Sequence, residues 1–84
     1  MFLAVDVGNT HTTLGLFDAE GGLVHGWRME SDANDTSDVL HARLFVYFKK
    51  DGLDLASVED AAVASVVPAI TRAWTRCLEV LLGK

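Results

Sequence analysis

The sequence contains very little cysteine or proline and few basic residues. Its 84 residues include a single cysteine, Cys77, and a single proline, Pro68. One cysteine excludes a disulfide framework within the chain and a metal site built from several cysteines. Only 7 Lys and Arg stand against 12 Asp and Glu, which gives a net charge of −5. Because the chain is acidic and has no basic cluster, we do not expect it to bind nucleic acid.

The sequence also lacks a long hydrophobic run. The longest covers residues 61–70 and contains Ser65 and Pro68, whereas a membrane-spanning helix needs about 20 apolar residues. The N-terminal stretch MFLAVDV has no basic residue and reaches an acid at Asp6, which is not typical of a signal peptide. We therefore expect no membrane partner and a cytoplasmic location.

The pattern of apolar and polar residues predicts the element order β-β-β-α-β-α. Three strands with short links indicate an antiparallel meander, and a later strand lies between two helices. We therefore expect an α/β fold with a mixed sheet. The predicted strands are 2–7, 12–18, 23–30 and 61–67; the first helix follows the capping candidates Asn34, Asp35 and Thr36 and runs to about Lys50, and the second runs from Pro68 to about Gly83.

Each predicted helix has an apolar stripe at helical spacing, which we expect to pack in the core. In the third strand, alternation predicts that Leu23, His25, Trp27 and Met29 share one face. Cys77 falls within the second stripe and is predicted to be a small core residue. The stripes comprise Leu40, Leu44, Tyr47 and Phe48 in the first helix, and Ile70, Ala73, Trp74, Cys77, Leu78 and Leu81 in the second.

The candidate functional site is the end of the first strand together with the polar turn that follows it. Asp6 stands near the end of the apolar run, and Gly8 lets the backbone turn and approach a ligand closely. Successive turn amides can form a concave site for an anion. A carboxylate repels phosphate, but Asp6 could hold a hydrated Mg²⁺ ion that bridges phosphates. The neutral side-chain donors nearby are Asn9, Thr10, Thr12 and Thr13.

The same residues also suit an ordinary hairpin. Gly, Asn, Asp and Thr are common in turns, and Asp6 could simply accept a hydrogen bond from a turn amide. The residue pattern by itself leaves both a metal–nucleotide site and a plain turn open.

Three segments resemble a known family. The stretch AVDVGNTHTTLGLFD, residues 4–18, strongly resembles the first phosphate-binding motif of type III pantothenate kinases, which belong to the acetate and sugar kinase, heat-shock ATPase and actin superfamily. The stretch LVHGWRMESD, residues 23–32, resembles the family's third strand, and ASVVPAITRAW, residues 64–74, resembles its second signature. The three segments occur in the family's order, and the resemblance extends over essentially the whole chain.

The resemblance implies a ribonuclease H-like half-domain and a defined reaction. That reaction is the ATP-dependent phosphorylation of pantothenate to 4'-phosphopantothenate, the first step of coenzyme A biosynthesis. It also implies a K⁺ or NH₄⁺ ion and a homodimer. Asp6 would anchor Mg²⁺ through water, and Gly8, Asn9 and Thr10 would contact phosphate oxygens. The segment that would surround the ATP phosphates comprises Asp6, Val7, Gly8, Asn9, Thr10, His11, Thr12 and Thr13.

The chain departs from the family in two respects. Family members commonly have Asn at the position of His11, so the role of this side chain is open. The family's Gly-Ala-Asp-Arg segment, which holds its general base, does not occur in these 84 residues, and no catalytic residue is assigned here. We therefore expect residues 1–84 to form the N-terminal part of the first actin-like ATPase domain, with the second domain absent from this chain. The alternatives are a related sugar or acetate kinase, and a non-catalytic regulatory module on the same fold.

The 84-residue chain by itself is expected not to phosphorylate pantothenate, because the family's general-base segment is missing from it. A coupled assay of ATP turnover on the purified chain, with and without pantothenate, measures this directly. Pantothenate-dependent turnover in the usual range of kinases, roughly 1–100 per second, would contradict the expectation.

Overall fold

A computed structural model describes all residues from Met1 to Lys84. Four strands form one mixed sheet with the spatial order β3-β2-β1-β4. Antiparallel pairing joins β1 to β2 and β2 to β3, whereas β4 lies parallel to β1. The predicted meander, the mixed sheet and the element order are confirmed. The strands are β1 Phe2–Val7, β2 His11–Phe17, β3 Leu23–Glu30 and β4 Asp60–Ser65.

Helix α1, Ser37–Lys50, connects β3 to β4 and begins at one of the three predicted caps. The Thr36 hydroxyl accepts a hydrogen bond from the backbone N–H of Val39 at 3.3 Å. This bond satisfies one of the first N–H groups of the helix, which have no partner within it. The helix ends where Asp51 forms its C-cap.

Helix α2, Pro68–Leu82, begins with proline in its first turn and ends before Gly83, as predicted. Gly83 has a φ of 72°, a left-handed conformation that glycine adopts without a Cβ penalty. The pattern of apolar and polar residues predicts no helix or strand between α1 and β4. There the structure has a single 3₁₀ turn, Leu55–Ser57, in which the N–H of Ala56 donates to the side chain of Asp54. Neither α1 nor α2 has the length and apolar character needed to cross a membrane.

The core lies between one face of the sheet and the two helices. Every second strand residue points into it, because successive side chains of a strand alternate between faces. Both helix stripes pack there, although Tyr47, Ala73 and Leu81 are only partly buried. Burial raises the pKa of the Cys77 thiol to about 11, and the charge of Asp38 adds to the effect. The buried apolar residues are Leu3, Val5, Val7, Leu14, Leu16, Trp27, Met29, Leu40, Leu44, Phe48, Val58, Ile70, Trp74, Cys77 and Leu78.

The opposite side of the sheet carries no helix and is called the open face here. Leu23 was predicted to share a face with Trp27, and this prediction is wrong. A Cβ built on Gly15 would lie 3.7 Å from Leu23 Cδ1, so Leu23 lies on the open face. The cause is a register shift between Leu16 and Phe17, because a shift of one residue moves side chains to the other face. The regular open-face residues are Phe2, Ala4, Asp6, His11, Thr13, Gly15, Phe17, Gly26, Arg28, Glu30, Asp60, Ala62 and Ala64.

Asp51 joins the end of α1 to strand β3. Its Oδ2 atom accepts a hydrogen bond of 2.7 Å from Trp27 Nε1, and it lies 3.2 Å from His25 Nε2 and 3.0 Å from Lys50 Nζ. The Trp27 ring also stacks on Phe48, with ring centroids 4.9 Å apart. The indole hydrogen bond, followed by the hydrogen bond from Lys50, lowers the pKa of Asp51.

Replacement of Asp51 by Ala is expected to lower the melting temperature at pH 7, because the nearly buried Trp27 N–H loses its acceptor. A carboxylate with a lowered folded-state pKa stabilises the fold above its ordinary value of 3.8. That contribution disappears as the pH falls through the lowered pKa. Thermal unfolding of parent and variant between pH 7 and about pH 2 measures the effect, with the exposed Glu20→Ala as the control. A difference in melting temperature that persists unchanged at the lowest pH would show that the charge of Asp51 is not involved.

Candidate functional site

The turn after β1 is closed by a single short backbone hydrogen bond. The N–H of Gly8 donates to the carbonyl oxygen of His11 at 2.9 Å. A Cβ at Gly8 would lie 3.1 Å from that same oxygen, so this tight turn favours glycine. The second strand was predicted to begin at residue 12, which left His11 in the turn, but His11 is the first residue of β2 and pairs with Glu30 of β3. The turn proper is therefore Gly8 to Thr10.

The tip of this turn has donors without partners in the chain. Asn9 and Thr10 are exposed, and neither their backbone N–H groups nor their side chains form a hydrogen bond within the protein. Unpaired N–H groups on consecutive turn residues can together bind an anion. The turn therefore presents at least two backbone donors and two polar side chains to a ligand.

Ser31, just after β3, fixes the turn from behind. Its hydroxyl donates to the carbonyl oxygen of Gly8 at 2.7 Å and lies 2.9 Å from the hydroxyl of Thr12. Because Ser31 has used its only hydroxyl proton on Gly8, Thr12 must donate to Ser31. The backbone N–H of Ser31 donates to the carbonyl oxygen of Thr10 at 2.8 Å. Ser31 could not be identified from the sequence, because nothing in the local pattern connects residue 31 to a turn more than 20 residues earlier.

Asp6 stands on the open face beside the turn, with Thr13 opposite it on β2 and Ala64 opposite it on β4. Its side chain is exposed, accepts no hydrogen bond from a turn amide and forms no ion pair. Arg28, the nearest cation by register, is bonded instead to His11. The hydrogen bond from a turn amide that Asp6 could accept in a plain turn is not present in the structure.

The eight predicted site residues do not all face the same way. Val7 and Thr12 are each 1% exposed and point into the core. The Thr12 hydroxyl is engaged by Ser31, so these two side chains support the turn from inside. The remaining side chains, those of Asp6, Asn9, Thr10, His11 and Thr13, are exposed on or beside the turn, and Gly8 is partly buried.

The junction between β4 and α2 lies at the same edge of the sheet. Because β1 and β4 are parallel, their carboxyl ends meet, and Val7 lies opposite Ser65. The Ser65 hydroxyl accepts a hydrogen bond of 3.0 Å from the N–H of Val67, and Val67 caps α2 without a side-chain hydrogen bond. The Ser-Val-Val-Pro segment thus places the free N–H groups of a helix N-terminus beside the turn.

No group of three or more His, Cys, Asp or Glu side chains in the structure could enclose a metal ion. A cation held by Asp6 would therefore bind these residues through one carboxylate, and its other ligands would come from outside them. This coordination suits Mg²⁺, which keeps several waters and binds through one or two carboxylates together with substrate phosphates.

Comparison with known proteins supports the resemblance described above. The sequence model of the type III pantothenate kinase family matches residues 2–83. The type III pantothenate kinase of Desulfotalea psychrophila is 44% identical over 84 residues, all of this chain and 31% of the relative. That of Moorella thermoacetica is 39% identical over 83 residues, 99% of this chain and 32% of the relative. The chain therefore spans about a third of the length of these relatives. Its mixed sheet and two helices are consistent with the predicted ribonuclease H-like half-domain.

Replacement of Ser31 by Ala is expected to destabilise the fold by about 1–3 kcal/mol, because the buried Thr12 hydroxyl loses its only partner. Denaturant unfolding of parent and variant provides the measurement. Ser37→Ala is the matched control, since Ser37 forms no side-chain hydrogen bond and should change stability by less than about 0.5 kcal/mol. Ser31→Thr keeps a hydroxyl and should recover part of the loss. Equal stability of the Ser31→Ala and Ser37→Ala variants would rule out the supporting role of Ser31.

Proposed function

The chain belongs to the type III pantothenate kinase family, and on this premise we propose that the full-length protein containing it transfers the γ-phosphoryl group of ATP to the hydroxyl of pantothenate. The product would be 4'-phosphopantothenate, the first intermediate of coenzyme A biosynthesis. One observation in the structure carries the assignment of the site. An exposed carboxylate without a partner, Asp6, stands beside a turn of unpaired neutral donors.

This combination is explained by a magnesium–nucleotide complex better than by phosphate alone. A bare phosphate would be repelled by Asp6, and a bare cation would not need the donors at Asn9 and Thr10. Mg²⁺ bound to ATP satisfies both, since the ion would lie on the carboxylate side through water and the phosphate oxygens on the turn side. When bound, Mg²⁺ neutralises part of the phosphate charge during transfer.

The residues of this chain contribute mainly by binding and orienting the phosphates. The N–H groups of Asn9 and Thr10 would donate to phosphate oxygens, and Gly8 allows the backbone to approach them. Ser31 and Thr12 hold the turn in place before the nucleotide binds, so less ordering is required on binding. Phosphoryl transfer depends mostly on positioning and electrostatic stabilisation. The general base is assigned to the part of the relatives that this chain does not span.

We also propose the domain content, the oligomeric state and the location of the full-length protein. We assign to the full-length protein a second domain that closes over ATP, a K⁺ or NH₄⁺ ion and a homodimeric state, all supported by the resemblance to the family. A cytoplasmic location fits a kinase that uses ATP. The net charge of −5 supports the absence of nucleic-acid binding.

Replacement of Asp6 by Asn in the full-length protein is expected to slow phosphoryl transfer by roughly 10²–10³-fold, about 3–4 kcal/mol. The variant keeps the shape of the side chain but removes the charge that anchors Mg²⁺. The melting temperature should change little, because Asp6 has no partner in the unliganded fold. The measurements are steady-state kinetics at several Mg²⁺ concentrations and thermal unfolding of the same preparations.

Asp60→Asn is the matched control for this experiment. Asp60 lies on the same open face and carries the same charge, but it stands at the start of β4, the end remote from the turn. Its variant should retain activity within about twofold. Activity of Asp6→Asn within about threefold of the parent would exclude the metal-anchor role of Asp6.

A further inference from the structure

One positively charged side chain of the open face, that of Arg28, has no role in the site described so far. Arg28 lies on β3 directly opposite Thr13 of β2, which in turn lies opposite Asp6 of β1. The three residues thus form one row across three neighbouring strands. Arg28 is the only Lys or Arg among the open-face residues, and it forms no ion pair. Its positive charge therefore has no carboxylate partner.

The contact that orients Arg28 is a hydrogen bond to His11. Arg28 Nη2 lies 2.9 Å from His11 Nδ1. Arginine has no acceptor and stays protonated, so the guanidinium donates and Nδ1 accepts. In this contact Nδ1 of His11 therefore carries no proton. One amino group of the guanidinium is thereby fixed, and the other N–H groups are left for a further partner.

The position of His11 determines the direction in which Arg28 is held. His11 lies two residues from Thr13 on β2, on the side of the turn, and its backbone carbonyl closes that turn at Gly8. The hydrogen bond therefore holds the guanidinium toward the turn. The acids nearest to Arg28 by register are Asp6, two strands away, and Glu30 on its own strand, and the guanidinium is bonded to neither.

The spacing of the row leaves room for a ligand between the two charges. Neighbouring strands lie about 4.8 Å apart, so the backbones of Asp6 and Arg28 are separated by roughly 10 Å. A phosphate group and a hydrated cation fit within such a gap. The negative end of the row suits the cation, and the positive end suits phosphate oxygens, to which the fork of a guanidinium is matched in shape and charge.

We propose that Arg28 is a phosphate-binding residue for the nucleotide and that His11 is its positioning residue. This inference rests on the proposed ATP-dependent function and adds to it the only positive side chain of the open face. The chain has a net charge of −5. Without Arg28, the polyphosphate of ATP would contact only neutral hydrogen-bond donors on the open face. The positioning role is compatible with the difference from the family at position 11, because both histidine and asparagine offer an acceptor to the guanidinium.

The test compares variants of the full-length protein by calorimetric titration with Mg·ATP and by steady-state kinetics. Arg28→Gln should raise the dissociation constant and the KM for ATP by roughly 10- to 100-fold, because a charged hydrogen-bonding partner of the phosphates is lost. The KM for pantothenate should stay within about twofold. Arg76→Gln is the charge-matched control, since Arg76 is exposed on α2 and forms no ion pair, and it should bind Mg·ATP like the parent.

The role of His11 has a separate readout. His11→Ala should weaken Mg·ATP binding several-fold, whereas His11→Asn should recover most of the affinity because its amide oxygen can accept from Arg28. The double variant of His11→Ala with Arg28→Gln should bind no more weakly than Arg28→Gln alone, since residues that act through one contact are not additive. Additive losses, or equal affinity of His11→Ala and the parent, would overturn the positioning role.

Two outcomes separate this inference from the proposed function. If the parent neither binds Mg·ATP nor phosphorylates pantothenate, the proposed function fails and the inference fails with it. If Asp6→Asn is impaired while folded Arg28→Gln binds Mg·ATP within twofold of the parent, only the inference is overturned. Should Arg28→Gln melt at a clearly lower temperature, Arg28→Lys replaces it. Its ammonium lacks the planar fork, so affinity several-fold below the parent supports the inference and parent-like affinity overturns it.

Discussion

Strand β1 is hydrogen-bonded along both of its edges, antiparallel to β2 and parallel to β4, and the other features of the molecule depend on this pairing. The antiparallel edge produces the turn after Val7. The parallel edge brings the end of β4 and the start of α2 to the same side of the sheet. Because β1 is paired on both edges, the sheet determines where the groups at its end lie.

The two faces of β1 have different functions, because successive side chains of a strand point to opposite faces of the sheet. Leu3, Val5 and Val7 are almost completely buried under the helices. Asp6, between two of them in sequence, is exposed on the opposite face. The burial that stabilises the fold thus also holds a carboxylate that has no partner of its own. An exposed charge of this kind costs little free energy in water, and it is available to bind a cation.

The electrostatics of the open face are consistent with recognition of a charged complex rather than of a simple anion. The chain is acidic overall, and the turn at Asn9 and Thr10 offers neutral donors. Asp6 supplies one negative charge at one end of a cross-strand row, and Arg28 supplies one positive charge at the other. An alternation of this kind fits a polyphosphate that carries its own cation, because each end of the row meets the opposite charge.

The local features could be predicted from the sequence: the order of strands and helices, the apolar stripes of both helices, the proline start of α2 and the acid beside a glycine turn. These depend on residues within a few positions of each other. Three features become visible only in the folded chain: the support of the turn by Ser31, the hydrogen bond between Arg28 and His11, and the register shift that moves Leu23 to the open face. Each of these depends on pairing between different strands, and a local period cannot specify which residues of two strands become neighbours.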